Sequence, residues 1–160
     1  IYRQQLYAGK LTIVPHLEGT GPPAETVSLP DFDSPFKLAG CPPSEVVSNG
    51  PFCLVWVVQT SHCTQTIYSG PECKIGSGFF TVYWVENMGR CEMLSLLLTI
   101  DDGGHANNPA VKSRKAVAYR IEPTQAEASD KKGFYTLDGE VLPSGKVQGI
   151  VRAAQCFTRK

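Results

Sequence analysis

Apolar and polar positions along this chain seldom follow a helical rhythm; most of the strong patterns are short and β-branched. Lys10-Leu11-Thr12-Ile13-Val14 is such a run, closed by Pro15, and predicts a short strand with a clear stop. Phe52-Cys53-Leu54-Val55-Trp56-Val57-Val58 is apolar at both parities, the pattern of a strand buried on two faces. Phe79 to Val85 repeats that pattern after Gly76-Ser77-Gly78, and Tyr68-Ser69-Gly70-Pro71 marks a turn between the two. Further strands are expected over Ala116 to Ile121, Phe134 to Leu137, Glu140 to Leu142 and Lys146 to Val151. Asp138-Gly139 predicts a type I′ hairpin turn, because both central residues of that turn need positive φ. One segment keeps a helical spacing. Met93, Leu96, Leu97 and Ile100, with Leu94 and Leu98 widening the stripe, predict a helix over 90–102 ended by Gly103-Gly104.

From Pro15 to Pro51 no period survives, and the stretch holds eight of the twelve prolines. It reads as a long irregular insertion or surface loop. Many short strands, Gly and Pro punctuation and one or two short helices predict a mainly β fold, an antiparallel β-sandwich. The whole of 1–160 reads as one domain, with 15–51 as its insertion or loop.

Composition narrows the classes. Hydrophobic residues make up 42% and charged residues 19% of the chain, enough apolar content for a packed core. Fifteen basic residues balance fifteen acidic ones, so no global field favours nucleic acid. The chain starts at Ile1 with no basic-then-apolar leader, which suggests a removed leader or a piece of a longer protein. Six cysteines (Cys41, Cys53, Cys63, Cys73, Cys91, Cys156) would suit three disulfides, yet Cys53, Cys91 and Cys156 sit among core-like residues and no C-x-x-C occurs. Reduced, mostly buried thiols in an intracellular compartment are the expectation.

Stand-alone enzyme signatures are missing: there is no P-loop, no G-x-G-x-x-G, no H-E-x-x-H and no G-x-S-x-G. Ser61-His62 lacks a third triad member, and Asp101-Asp102-Gly103-Gly104-His105 reads as a helix end with solvated carboxylates. Asp138-Gly139-Glu140 sets two carboxylates around a tight turn, a plain hairpin that could also approach magnesium. The leucine stripe is too apolar around its circumference for a simple surface helix; it is either core or the wall of an acyl tunnel. Lys112, Arg114 and Lys115 form a local basic cluster, either a solvated edge or a contact for anionic lipid.

The later segments together resemble the C-terminal domain of sphingosine kinases, in the diacylglycerol kinase-like lipid kinase superfamily. Ala118-Tyr119-Arg120-Ile121-Glu122-Pro123 is similar to the family's strand ending aromatic-Arg-aliphatic-Glu-Pro. Lys132-Gly133-Phe134-Tyr135-Thr136-Leu137-Asp138-Gly139-Glu140 is similar to its hairpin, and Val147-Gln148-Gly149-Ile150-Val151 to its next strand. Phe52 to His105 and Leu6 to Pro15 can also be laid on the family pattern, leaving Pro15 to Pro51 without a counterpart.

The resemblance implies an ATP- and Mg2+-dependent kinase that phosphorylates the primary hydroxyl of a sphingoid base. It implies an N-terminal catalytic domain that is not in this chain, so no catalytic residue is expected here and the chain alone should be inactive. Asp138, Gly139 and Glu140 would face the ATP site across the cleft, with Asp138 and Glu140 toward the metal. Tyr83, Leu94, Leu97, Leu98, Ile100 and His105 would line the lipid channel. A cytoplasmic protein with peripheral membrane association, and no nucleic acid partner, is implied. A diacylglycerol or ceramide kinase domain is the alternative within the superfamily. A secreted, disulfide-stapled β-sandwich binding module is the alternative outside it.

Overall fold

The computed structural model describes residues 6–124, 135–143 and 145–152. Its strands are β1 (Gly9–Pro15), β2 (Glu45–Ser48), β3 (Leu54–Val58), β4 (Phe80–Val85), β5 (Lys112–Pro123), β6 (Tyr135–Leu137), β7 (Glu140–Leu142) and β8 (Val147–Ile150). One helix, α1 (Arg90–Leu97), and a 3-10 turn over Gly104–Asn107 lie between β4 and β5. The main sheet runs β2-β1-β5-β4-β3, with β8 also paired to β5, and β6 and β7 form a separate hairpin. All strand pairs are antiparallel, so the fold is mainly β and sandwich-like.

The long strand β5 organises the sheet. It pairs with β1 from Ala116 to Pro123, while its other edge is shared by β4 at its start and β8 near its end. On one face Leu11, Ile13, Val82 and Trp84 pack with Phe52. Val14, Val117, Ala118 and Val151 pack instead with Phe36 and Leu38, which come from the irregular segment. The β1 region is therefore covered on both faces, as its burial along Leu11 to Val14 requires.

Residues 16–44 contain no helix or strand, yet they are not a loose surface loop. We call them the strap. Besides the apolar anchors Phe36 and Leu38, three polar side chains hold its backbone. The Arg120 guanidinium donates to the carbonyls of Pro30, Asp31, Phe32 and Ser34 at 3.0–3.3 Å, and its Nε to Gln148 Oε1 at 2.9 Å. Gln148 Nε2 in turn donates to Pro30 O, and Arg152 to Ala24 O and Val27 O. A buried irregular backbone must find partners for its carbonyls, and here strands β5 and β8 supply them. The Pro15 to Pro51 stretch also contains β2, which the absence of any period concealed; its four residues are too few to show one.

Three expectations need correction. The Phe52 to Val58 segment is not buried on two faces: β3 is an edge strand with mostly half-buried residues, and β4 is the strand covered on both sides. The helix stops at Leu97 rather than 102. Glu92 secures its start by accepting the Gly89 N–H at 2.8 Å, but Asp101 and Asp102 would place two negative charges at the helix C-terminus, where the dipole disfavours them. The chain tightens instead through Thr99 N–H to Leu96 O and Ile100 N–H to Leu97 O. Finally, Cys91 is exposed and Cys53 half-buried, whereas Cys73 is the buried thiol. Cys156 and Phe134 lie outside the described residues.

Candidate functional site

The resemblance singles out two groups of residues, and the fold places them in different settings. Asp138 and Gly139 form the two-residue loop between β6 and β7, with φ of 50° and 89°. Both values are positive, as a type I′ turn demands, and Gly139 takes its conformation without steric cost. Glu140 opens β7 opposite Leu137, so the turn carries an exposed carboxylate on each side of Gly139. Among the described residues no cluster of three or more His, Cys, Asp or Glu side chains could hold a metal alone.

The second group divides in two. Tyr83 on β4 and His105 in the 3-10 turn meet edge to face, their ring centroids 5.2 Å apart, and Trp56 of β3 stands 5.6 Å from the same imidazole. Both Tyr83 and His105 are 3% exposed. His105 Nε2 donates to the Ser69 carbonyl at 3.0 Å, which fixes Nδ1 as an acceptor; Nδ1 is buried and has no partner. Burial holds the His105 pKa below its ordinary value, against the opposing pull of the Ser69 carbonyl and Asp102. Burial, assisted by Cys73, Glu72 and Tyr68, pushes the Tyr83 phenol up to about 12. Gly103 makes this geometry reachable. It sits at φ 77°, and a Cβ there would lie 2.8 Å from the Tyr68 ring.

The leucines behave differently. Leu96 alone on α1 is fully buried, packing with Val85 and Met88 and against Val111 and Met93. Leu94, Leu97 and Leu98 are 61%, 47% and 75% exposed, and Ile100 is half-buried. Val111 touches both the Leu96 cluster and the Tyr83 cluster, so the buried side of the helix adjoins the aromatic group, while Leu94 and Leu98 lie on the helix side away from Leu96. Among the described residues, the hairpin β6–β7 pairs with no strand of the main sheet.

Other candidates resolve into structural roles. Ser61 Oγ lies 3.0 Å from His62 Nδ1 at an exposed site, and the imidazole leans on Tyr68. Asp102 accepts the Gly104 N–H at 2.9 Å. Of the basic cluster, Lys112 is paired with Glu86 at 2.8 Å and Lys115 with Glu72 at 3.0 Å. Glu86 was not anticipated: it accepts from Ser48, Trp84 and Lys112, tying the end of β2 and the start of β5 to the chain just after β4. Those bonds, Lys112 foremost, hold its carboxyl below the usual range. Arg120 is a charged side chain inside an otherwise apolar stretch of β5, and that is the signal that it holds something.

An antiparallel, sandwich-like domain with a carboxylate-tipped hairpin and an open leucine helix is the class that this geometry defines. The comparisons add a particular likeness. Over 98 residues, 61% of this chain and 20% of the relative, it is 30% identical to sphingosine kinase 1 of Arabidopsis thaliana. Over 109 residues, 66% of this chain and 27% of the relative, it is 30% identical to sphingosine kinase 1 of Homo sapiens and 28% to that of Mus musculus. The chain thus carries a sphingosine kinase-like region and spans about a fifth to a quarter of the length of these curated relatives. No family model matches it.

Proposed function

We propose that this chain is the lipid-binding C-terminal domain of a two-domain lipid kinase that transfers the ATP γ-phosphate to the primary hydroxyl of a sphingoid base. The observation that carries the reading is the likeness to sphingosine kinase 1 from plant and mammal alike. The open leucine face supports it. Leu94, Leu97 and Leu98 are apolar side chains that stand 61%, 47% and 75% exposed. An alkyl chain laid on that face, reaching toward Ile100, gains about 0.8 kcal/mol per methylene removed from water.

The hairpin would serve the nucleotide. Magnesium characteristically takes one or two carboxylates together with phosphate oxygens and water, and Asp138 and Glu140 fit as one side of such a site. Bound there, the metal would neutralise charge on the transferring phosphoryl group. Gly139 keeps the turn narrow, leaving both carboxylates at the tip. The remaining machinery belongs to a partner catalytic domain, so the 160-residue chain binds lipid and phosphorylates nothing. A cytoplasmic location with peripheral membrane association follows from a lipid substrate drawn from a bilayer.

The test is a kinase assay on the natural protein that carries this region, with ATP, Mg2+ and sphingosine, beside a Glu140→Ala variant. Sphingosine phosphorylation that falls at least tenfold in a still-folded variant is expected. Activity with diacylglycerol or ceramide but not sphingosine would keep the kinase and change the substrate. Lipid phosphorylation indifferent to Glu140 would return the hairpin to a structural turn.

A further inference from the structure

Away from both groups, two tight turns leave the main sheet at the same end. Strand β1 finishes at Pro15 and β4 begins at Phe80, and both residues are partnered with Ala116 of β5. After β1 the strap opens with a turn, its Thr20 N–H bonding the Leu17 carbonyl at 3.1 Å with Gly19 at φ 81°. Before β4 the chain turns over Lys74 to Ser77, where the Ser77 N–H bonds the Lys74 carbonyl at 2.9 Å with Gly76 at φ 79°. A positive φ at the third position fits a type II turn in each, so neither tip is a slack loop. The turns also pack together. The His16 and Phe79 rings lie 5.0 Å apart, and a Cβ at Gly78 would come within 3.1 Å of Pro22 Cδ.

This firm base presents apolar side chains to water. Ile75, at the second position of its turn, is 90% exposed, although Cys73 and Phe79 on either side of the tip are buried. Leu17 is 52% exposed. Neither exposure helps the fold, because apolar area left in water contributes nothing to folding. Among the described residues no carboxylate pairs with Lys74, while Lys115, over the Phe79 ring, is held by Glu72 at 3.0 Å. Glu18 is exposed on the neighbouring turn, so this end is close to neutral and its apolar tips carry any attraction. Two protruding side chains bury far less than the roughly 800 Å² per partner of a stable protein interface. A bilayer needs no matching surface; it accepts single apolar tips at the boundary of headgroups and acyl chains, where a lysine can keep its ammonium among the headgroups.

We infer that this end of the sheet is the membrane-contacting surface, with Ile75 and Leu17 entering the bilayer interface and Lys74 at headgroup level. The assignment rests on the peripheral membrane association of the proposed function and adds the residues that make it.

The test is co-sedimentation of the natural protein that carries this region with phosphatidylcholine vesicles containing about 20% phosphatidylserine. Ile75→Asn should weaken vesicle binding about tenfold, and adding Leu17→Asn should weaken it further, with the melting temperature unchanged at so exposed a tip. Val46→Asn, at an aliphatic residue of β2 that is 51% exposed and away from this end, should leave binding as it was. Raising the salt concentration should matter little. No vesicle binding by the natural protein, binding indifferent to Ile75→Asn, or an equal loss in Val46→Asn would each overturn the surface. Phosphorylation of sphingosine in detergent micelles, which needs no bilayer, reports on the proposed function separately. Activity there with vesicle binding indifferent to Ile75 would overturn the surface alone; binding that depends on Ile75 in a protein that phosphorylates no lipid would keep the surface and overturn the kinase.

Discussion

The strap and helix α1 invert the usual association of regular structure with burial. The strap has no repeating backbone pattern, yet its apolar anchors Phe36 and Leu38 are buried and its carbonyls are tied down by Arg120, Gln148 and Arg152. Helix α1 is regular and capped, yet it buries one leucine and leaves Leu94, Leu97 and its C-cap Leu98 open. Hydrogen-bond satisfaction decides the first case. A chain with no ladder of its own can be buried when side chains of the sheet complete its backbone. The second case shows that a helix satisfies its backbone internally and so can stand at a surface with its apolar side unpartnered.

Breaking the strap should produce the largest effect. Arg120→Met strips the guanidinium from four strap carbonyls, leaving those of Phe32 and Ser34 without a donor among the described residues while Pro30 keeps Gln148 and Asp31 keeps the Ser34 N–H, and should cost about 3–5 kcal/mol, read by urea denaturation. Arg120→Lys should recover less than half of that, since an ammonium cannot reproduce the planar fork. A loss below about 1 kcal/mol would mean that water replaces the guanidinium freely and that the strap is held by Phe36 and Leu38 alone. On the helix, Leu96→Ala should cost about 2–4 kcal/mol through the cavity left against Val85 and Met88.

These residues also mark where sequence reasoning stops. Strands β1, β4 and the β6–β7 hairpin were legible because β-branched runs and Asp138-Gly139 impose local geometry. The strap was not, because its polar partners lie 86 to 128 residues away along the chain and it uses backbone carbonyls, which every residue possesses. The helix was legible in type but not in length, since the carboxylates of Asp101 and Asp102 act on the helix end rather than on its period. Of the candidate site, resemblance supplied the names, but only the fold brings Tyr83 and His105 together, and only the fold leaves Leu94 and Leu98 open.

A smaller effect belongs to the buried aromatic group. The His105 pKa is lowered by burial, so the folded protein binds fewer protons than the unfolded chain just below the ordinary histidine value of 6.5. Its contribution to stability is therefore fully present above pH 6.5, shrinks as pH falls toward the depressed folded value, and is constant below it. Denaturation midpoints between pH 8 and pH 5 should show that decline, and His105→Gln should flatten it. Equal slopes in the two proteins would show that His105 titrates as freely folded as unfolded. Comparable in size, Gly139→Ala should cost about 1 kcal/mol, since the new Cβ must accept φ of 89° in a turn with open space around it.

The smallest stability effect belongs to the open face, and that smallness is what makes it informative. Leu98→Gln changes a side chain that is 75% exposed and should shift stability by no more than about 0.5 kcal/mol, against several times that for Leu96→Ala two residues earlier. Under the proposed function the ranking reverses for lipid. Removing an apolar contact from the face that meets the alkyl chain should weaken sphingosine binding several-fold, measured by fluorescence with a labelled long-chain base, while the fold is untouched. Residues selected for packing lose stability first, and residues selected for a ligand lose binding first. If Leu98→Gln and Leu94→Gln both leave lipid affinity unchanged, the exposed leucines face something other than the substrate, and the contrast between strap and helix reduces to one of packing alone.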